Sequence, residues 1–322
     1  MPRKIDISHR SVIFIALFVL GIWATYLILD LLILLFVSVI LTSALSPVVD
    51  FFVRFKLPRA LSIVITYIII LSVVGVVFAT FLTPLIEESK RLISVLPPLI
   101  AKEFNIDNFD ERFYKELANF SANIFSFSLV VFNNIITIIF LLVFTFYLLM
   151  ERVQLEERLS ALFVGREGRV KKLIIKIEEK LGAWFRGQLF LSLIIGILTY
   201  LGLFVLKIPY ALALALLAGV LEVVPVIGPI IAAIPAVALA FTITPILGLG
   251  VASMYFIIQQ MENGIIVPQV MKRAVGLNPL AVILAIAVGS RLLGVGGALL
   301  AVPMVVVAQI IINDILIEKR ED

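Results

Sequence analysis

The sequence predicts an all-α, polytopic membrane protein of about six to eight transmembrane helices, with two Gly/Pro-broken re-entrant hairpins in an inverted repeat. Three observations support this. Hydrophobic residues fill 62% of the 322 positions and charged residues 15%, far from the composition of a soluble domain. Apolar runs of about 20 residues, enough to cross hydrocarbon, recur along the chain. The C-terminal half holds two similar apolar segments, each cut near its middle by Gly and Pro.

Composition also excludes several chemistries. Mean hydropathy is +1.18, so excess apolar surface must face lipid. There is no cysteine, which removes disulfides, thiolate metal sites and Cys nucleophiles. The only histidine, His9, lies in a basic N-terminal stretch outside the apolar runs. Histidine-based zinc, haem or Ser/His chemistry is therefore excluded, and no metal or other cofactor is expected. The net charge of +4 fits the Lys/Arg excess on cytoplasmic loops, and no nucleic-acid partner is expected.

The elements follow in order. Residues 1–10, with Arg3, Lys4 and Arg10, resemble a signal-peptide n-region. The following run is too long and lacks a small-residue cleavage site, so it reads as a first membrane helix. Ser11 to Ser46 is too long for one span, and Asp30 divides it into two helices joined by a tight hairpin near Tyr26–Asp30. A third span runs from about Arg59 to Phe81, a polar loop from Pro84 to Phe120, and a fourth span from about Phe125 to Met150. From Glu151 to Arg186 the pattern is an amphipathic helix. Val170, Leu173, Ile177, Leu181 and Trp184 form one stripe beside Lys171, Lys172, Lys176 and Lys180, as on a membrane surface or against another subunit.

Basic residues orient these spans. Arg3, Lys4 and Arg10 place the N-terminus inside; Arg54, Lys56 and Arg59 place the second loop inside. The acidic 84–120 loop goes outside, and the basic 151–186 segment inside. Lys319 and Arg320 put the C-terminus inside too. The expected location is the inner (plasma) membrane, with both termini cytoplasmic. The expected organisation is an N-terminal four-helix region (1–150), a cytoplasmic amphipathic helix (151–186) and a repeat region (187–322) with hairpins at 209–241 and 279–312.

After a fifth span, about Gln188 to Leu206, the repeat begins. Pro209 and Pro279 open the two copies, and Gly219 and Gly289 follow ten positions later. The breaks are Ile227-Gly228-Pro229, preceded by Pro225, and Val295-Gly296-Gly297, preceded by Gly294. Pro235 and Pro303 each stand seven residues past the matched Gly228 and Gly296. Helix breakers free backbone groups that lipid cannot satisfy, so such breaks persist only against protein or a water-filled cavity. The first hairpin would enter from outside. A span near Ile246 to Met261 returns, followed by Lys272 and Arg273, and the second hairpin enters from inside. Opposed broken hairpins meeting near the midplane are the architecture of secondary transporters.

Ionisable and amide groups in apolar membrane sequence mark functional candidates. They are Glu222 before the first break, Arg291 before the second, Gln188 in the fifth span, and Gln259, Gln260 and Glu262 at the end of the span between the hairpins. Together they could form a polar transport path, with Glu222 carrying a proton or cation. A buried Glu222–Arg291 ion pair, or snorkelling to the interface, is the structural alternative. Glu262, beside Asn263, Gln269 and Lys272, fits an interface as well as a site.

At these residues the chain resembles the AI-2E family of bacterial transporters. The similar stretches are Glu222-VVPVIGPIIAAIP, Gln259-QMENGIIVPQVM, Val275-GLNPL and Gly294-VGGALLAVP, and the resemblance spans nearly the whole chain. Where some relatives read PYIGP, this chain has Val226 in place of the aromatic residue. The resemblance implies outward movement of a small polar solute such as autoinducer-2 by an elevator-like motion, in a homo-oligomer, specifically a pentamer. It equally implies sodium, lithium or potassium/proton antiport, as in some members. The partners expected are the lipid bilayer and a small polar solute or monovalent cation and proton. No Walker A motif is present, so ATP is not the direct driver. An intramembrane enzyme lacks its nucleophiles and paired aspartates. A membrane scaffold acting through the 151–186 helix is the remaining alternative.

Overall fold

The computed structural model describes residues 9–76, 135–225, 227–271 and 279–321. The polar 84–120 loop, the start of the fourth span, Val226, Lys272, Arg273 and the residues Val275–Asn278 lie outside them, as do the side chains of Lys319 and Arg320. The described chain is all helical. Five helices are long and apolar enough to cross a membrane, α2, α3, α4, α5 and α10 in the order below, so the protein is a multi-pass membrane protein.

Helices α1 (His9–Leu27) and α2 (Leu29–Arg54) do not double back at Ile28. Ile28 N donates to Ala24 O (3.1 Å) and Leu32 N to Ile28 O (3.0 Å), so helical hydrogen bonds run through the junction. The hairpin expected near Tyr26–Asp30 is absent, because that stretch holds no Gly or Pro and one Asp cannot reverse a chain. Helix α3 (Arg59–Val76) follows a short turn, in which Lys56 adopts positive φ.

Helix α4 (Ile135–Ala161) and helix α5 (Glu167–Val205) include the charged segment expected to be a separate surface helix. Its first part ends α4 and its second part begins the unbroken 39-residue α5, so residues 186 and 187 sit inside one helix. The apolar stripe packs against the protein's own chain. Leu181 and Trp184 are buried with Ile40 of α2 and with Leu300, Val302, Val306 and Ile310 of the C-terminal helix, with Leu173 and Ile177 beside them. Burial against those partners gives the Leu181–Trp184 part of the stripe an intramolecular role, with Leu173 and Ile177 half-buried beside it.

The α2–α5 crossing explains two residues. Pro47 lacks an N–H, so the Ser43 carbonyl four residues earlier has no helical donor. Arg186 of α5 supplies one: its Nη1 donates to the carbonyls of Ser43 and Ala44, both at 3.1 Å. Gly182 makes this approach possible, since a Cβ there would collide with the Ser43 carbonyl. Nearby, Arg152 pairs with Glu178 (2.7 Å), Asp50 and Glu156 (both 3.5 Å), and Arg59 with Asp50 (3.8 Å). A cavity of about 500 Å³ opens beside this network, lined among others by Ser43, Ser46, Asp50 and Arg186.

Two folded-back segments follow. Helix α6 (Ala211–Leu221) has 11 residues, about 16 Å, roughly half the hydrocarbon thickness. A turn beginning at residues 222–225 precedes helix α7 (Ile227–Ile243), which packs back against α6. A Cβ on Gly228 would strike the Leu221 carbonyl, so only glycine fits this return. Helix α8 (Pro245–Met261) starts with Thr244 capping Leu247 N at 3.2 Å and Pro245 in its first turn. It continues through a π-helical turn (Glu262–Ile266) into the short α9 (Val267–Val270).

Helix α10 (Pro279–Glu321) is broken at Leu293 and Gly294, where Gly294 takes φ 60° and ψ −141°, a conformation open essentially to glycine. The arms fold onto each other: a Cβ on Gly289 would lie 3.4 Å from the Ala301 Cβ, whereas a straight helix would separate the two positions by about 18 Å. Both breaks fall before the Gly228 and Gly296–Gly297 positions read from sequence. Gly228 and Gly297 instead allow the arms to touch, against the Leu221 and Gly289 carbonyls respectively, whereas a Cβ at Gly296 would meet nothing within 4 Å.

Candidate functional site

The site is built where the first break meets α5 and α8. Glu222 ends α6, and its N–H still donates to Ala218 O at 3.0 Å. Its carbonyl lies beyond the last helical turn, where no further helical N–H reaches it. Gln188 of α5 meets it: Nε2 donates to Glu222 O at 2.6 Å. This amide, costly in an apolar span, thus satisfies backbone that the break exposes. Gln188 Oε1 and Glu222 Oε2 have no hydrogen-bond partner among the described residues.

The second carboxyl comes from α8. Val251, Tyr255, Ile258 and Glu262 fall at helical spacing on one buried stripe, so Glu262 continues the face that packs inward. It is 3% exposed and Glu222 1%. Both carboxyls lie beside the same stretch of α5: the Glu222 carbonyl accepts from Gln188, and a Cβ on the adjacent Gly187 would meet Met271 and Val270, shortly after the π-helical turn that Glu262 begins. Gln259 Nε2 donates to Glu262 Oε2 at 3.1 Å. The π-helical turn starting at Glu262 is a feature that recurs at functional positions, and no sequence pattern announced it.

Other candidates stand apart. Gln260 and Arg291 are exposed. The Glu222–Arg291 ion pair considered from sequence is not formed, since one partner is buried and the other exposed. Neither Glu222 nor Glu262 forms an ion pair with a Lys or Arg among the described residues. Pro225 lies in the first turn, Gly228, Pro229 and Pro235 are buried in α7, and Gly297 and Pro303 are buried in the second folded segment. Gly294 and Gly296 are exposed at its tip. Val224, in the first break, packs on the cluster of Ile286, Ala298 and Ala301 from both arms of the second segment. The two broken elements therefore touch, within a few residues of Glu222.

Such an arrangement can neutralise charge in two ways. A buried carboxyl without a cationic side chain holds either a proton or a bound cation. Two carboxyls and freed backbone carbonyls offer hard oxygen ligands suited to small monovalent ions.

Comparison with known proteins decides the family. The AI-2E family transporter profile matches residues 12–317. The chain belongs to the AI-2E family of transporters. Within that family it is 28% identical to the AI-2 transport protein TqsA of Escherichia coli, over 89% of this chain and 86% of that protein. It is 23% identical to a sodium-lithium/proton antiporter of Halobacillus andaensis, over 94% of both chains. A shorter match, 36% identical over 145 residues, joins it to the putative transport protein YrrI of Bacillus subtilis and covers 41% of that protein. Membership makes this chain a membrane transport protein.

Proposed function

We propose that this AI-2E family member is a secondary transporter coupled to a proton or monovalent cation, with Glu222 and Glu262 as the coupling site. The observation behind this reading is the pair of carboxyls, 1% and 3% exposed and without a cationic partner among the described residues. A purely structural carboxyl in a membrane core would pair with Lys or Arg. Exchange of sodium or lithium against protons is the activity this chemistry suits best, and the relative from Halobacillus bears that name.

Outward movement of a small polar solute such as autoinducer-2 is the second reading. It is favoured by the 28% identity to the Escherichia coli protein over most of both chains. Both readings use re-entrant hairpins meeting near the midplane and an elevator-like displacement of residues 187–322. They also fit a homo-oligomer in the inner membrane with its C-terminus cytoplasmic. Short α6 and the sharp return in α10 support re-entry.

Reconstituted protein under an imposed pH gradient tests the assignment. Adding Na⁺, Li⁺ or K⁺ should dissipate the gradient, and Glu222→Gln should abolish this with folding intact. If the variant exchanges normally, Glu222 is not the coupling residue. If the unaltered protein shows no cation response, labelled autoinducer-2 becomes the substrate to assay.

A further inference from the structure

Five of the eight buried side-chain polar atoms without a partner among the described residues lie on α5, on α8 and at the break that ends α6. They are Gln188 Oε1, Ser192 Oγ and Thr199 Oγ1 of α5, Glu222 Oε2, and Tyr255 OH of α8. A hydroxyl left unpaired in a membrane core costs roughly 1–3 kcal/mol, so such a concentration calls for a shared partner. Water is the common one for orphaned buried groups.

Their order along the helices gives a direction. Gln188, Ser192, Ile195, Thr199 and Leu203 share one stripe of α5, and Tyr255 precedes Glu262 by two turns on the stripe of α8. Thr199 stands about 16 Å beyond Gln188 along the axis, and Tyr255 about 10 Å from Glu262. Because α5 and α8 run in opposite chain directions past the site, both displacements point to the membrane face where α5 ends. There the stripe turns apolar: Leu203 and Val251, each 0% exposed, pack in the cluster that contains Tyr255.

We propose that Ser192, Thr199 and Tyr255 line a hydrated track from the Glu222–Glu262 site toward the face where α5 ends, closed at its outer end by Leu203 and Val251. The track serves as the route by which the site exchanges a proton or small cation with that face. This use rests on the coupling role proposed for Glu222; the hydration does not.

The cysteine-free chain permits a direct test. Single substitutions Thr199→Cys and Tyr255→Cys are treated in sealed vesicles with Ag⁺, a thiol-reactive ion of the size of a monovalent metal ion, from one face at a time. Unreacted thiol is then counted with maleimide after denaturation. Val164→Cys in the α4–α5 turn and Lys207→Cys after α5, both exposed positions, report which face is treated. Ile63→Cys, 0% exposed in a separate apolar cluster with Val49 and Leu149, gives the unreactive baseline.

Both track positions should react from the Lys207 face alone, severalfold faster when Leu203→Ala is added. Baseline reactivity in monodisperse protein with and without Leu203→Ala overturns the track, as does reaction from the Val164 face. Repeating the labelling in Glu222→Gln separates the two ideas. Labelling with normal cation exchange removes the coupling role and leaves the track, while no labelling with lost exchange does the reverse.

Discussion

The side-chain amide of Gln188 donates to the backbone carbonyl of Glu222 at 2.6 Å, across the contact between a continuous helix and a broken one. One hydrogen bond thereby both satisfies the break and fixes where the Glu222 carboxyl stands. Gln188→Leu is expected to leave that carbonyl buried and unpaired, at a cost of about 1–3 kcal/mol. A lower melting temperature in detergent together with reduced transport would show it. An unchanged melting temperature would mean that water replaces the amide.

Arg186 and Pro47 form a second such pair, cation to proline-freed carbonyl. Arg186→Met should destabilise the protein by about 1–3 kcal/mol through the orphaned Ser43 carbonyl. Pro47→Ala restores the helical donor, so the double variant should lose less than the sum of the two single changes. Thermal unfolding of the four proteins measures the coupling, and strict additivity would deny it.

Gly228 and Gly250 make a matched comparison. A Cβ at Gly228 meets the Leu221 carbonyl, whereas at Gly250 it meets nothing within 4 Å. Gly228→Ala should therefore sharply reduce the yield of monodisperse protein, because rigid backbone must move. Gly250→Ala should be neutral or stabilise slightly, as expected for Ala replacing Gly in a helix. Fluorescence-detected size exclusion of the tagged variants reads both.

At Gly294, with φ 60° and ψ −141°, strain alone is expected. No neighbour lies within 4 Å of an added Cβ, yet the conformation costs a non-glycine residue about 1–3 kcal/mol. Gly294→Ala should lower thermal stability by that order, and a fully neutral result would mean that the second tip relaxes freely.

Arg152 faces Glu178, Asp50 and Glu156 within 3.5 Å. Removing the cation in Arg152→Ala leaves three carboxylates repelling one another across α2, α4 and α5. The loss of stability should be greatest at low ionic strength and shrink as salt screens the exposed part of the cluster. Melting curves over a salt series would check this, and a salt-independent loss would point to packing of the Arg152 stem instead.

Composition and period were enough to read the all-α membrane class and the two interrupted segments. Lipid-facing helices must be apolar along their length, and breakers in such runs are conspicuous in one dimension. Gln188, Glu222, Gln259 and Glu262 stood out for the same reason: polar groups are rare in such surroundings. Other features depended on distance in space. Continuity of α1 with α2 through Ile28 was signalled only by the absence of Gly or Pro between Tyr26 and Asp30, a weaker cue than the charge of Asp30, which a helix tolerates. Burial of the 181–184 stripe needed its partners on α2 and α10, more than a hundred positions away in each direction. Only the packed structure separated buried Glu262 from exposed Arg291, since sequence offered both, one at the end of a span and one just before a break, as candidates for the same polar path. It also showed that Gln188 serves a carbonyl 34 residues distant, because a hydrogen bond is decided by geometry that sequence spacing between two different helices does not contain.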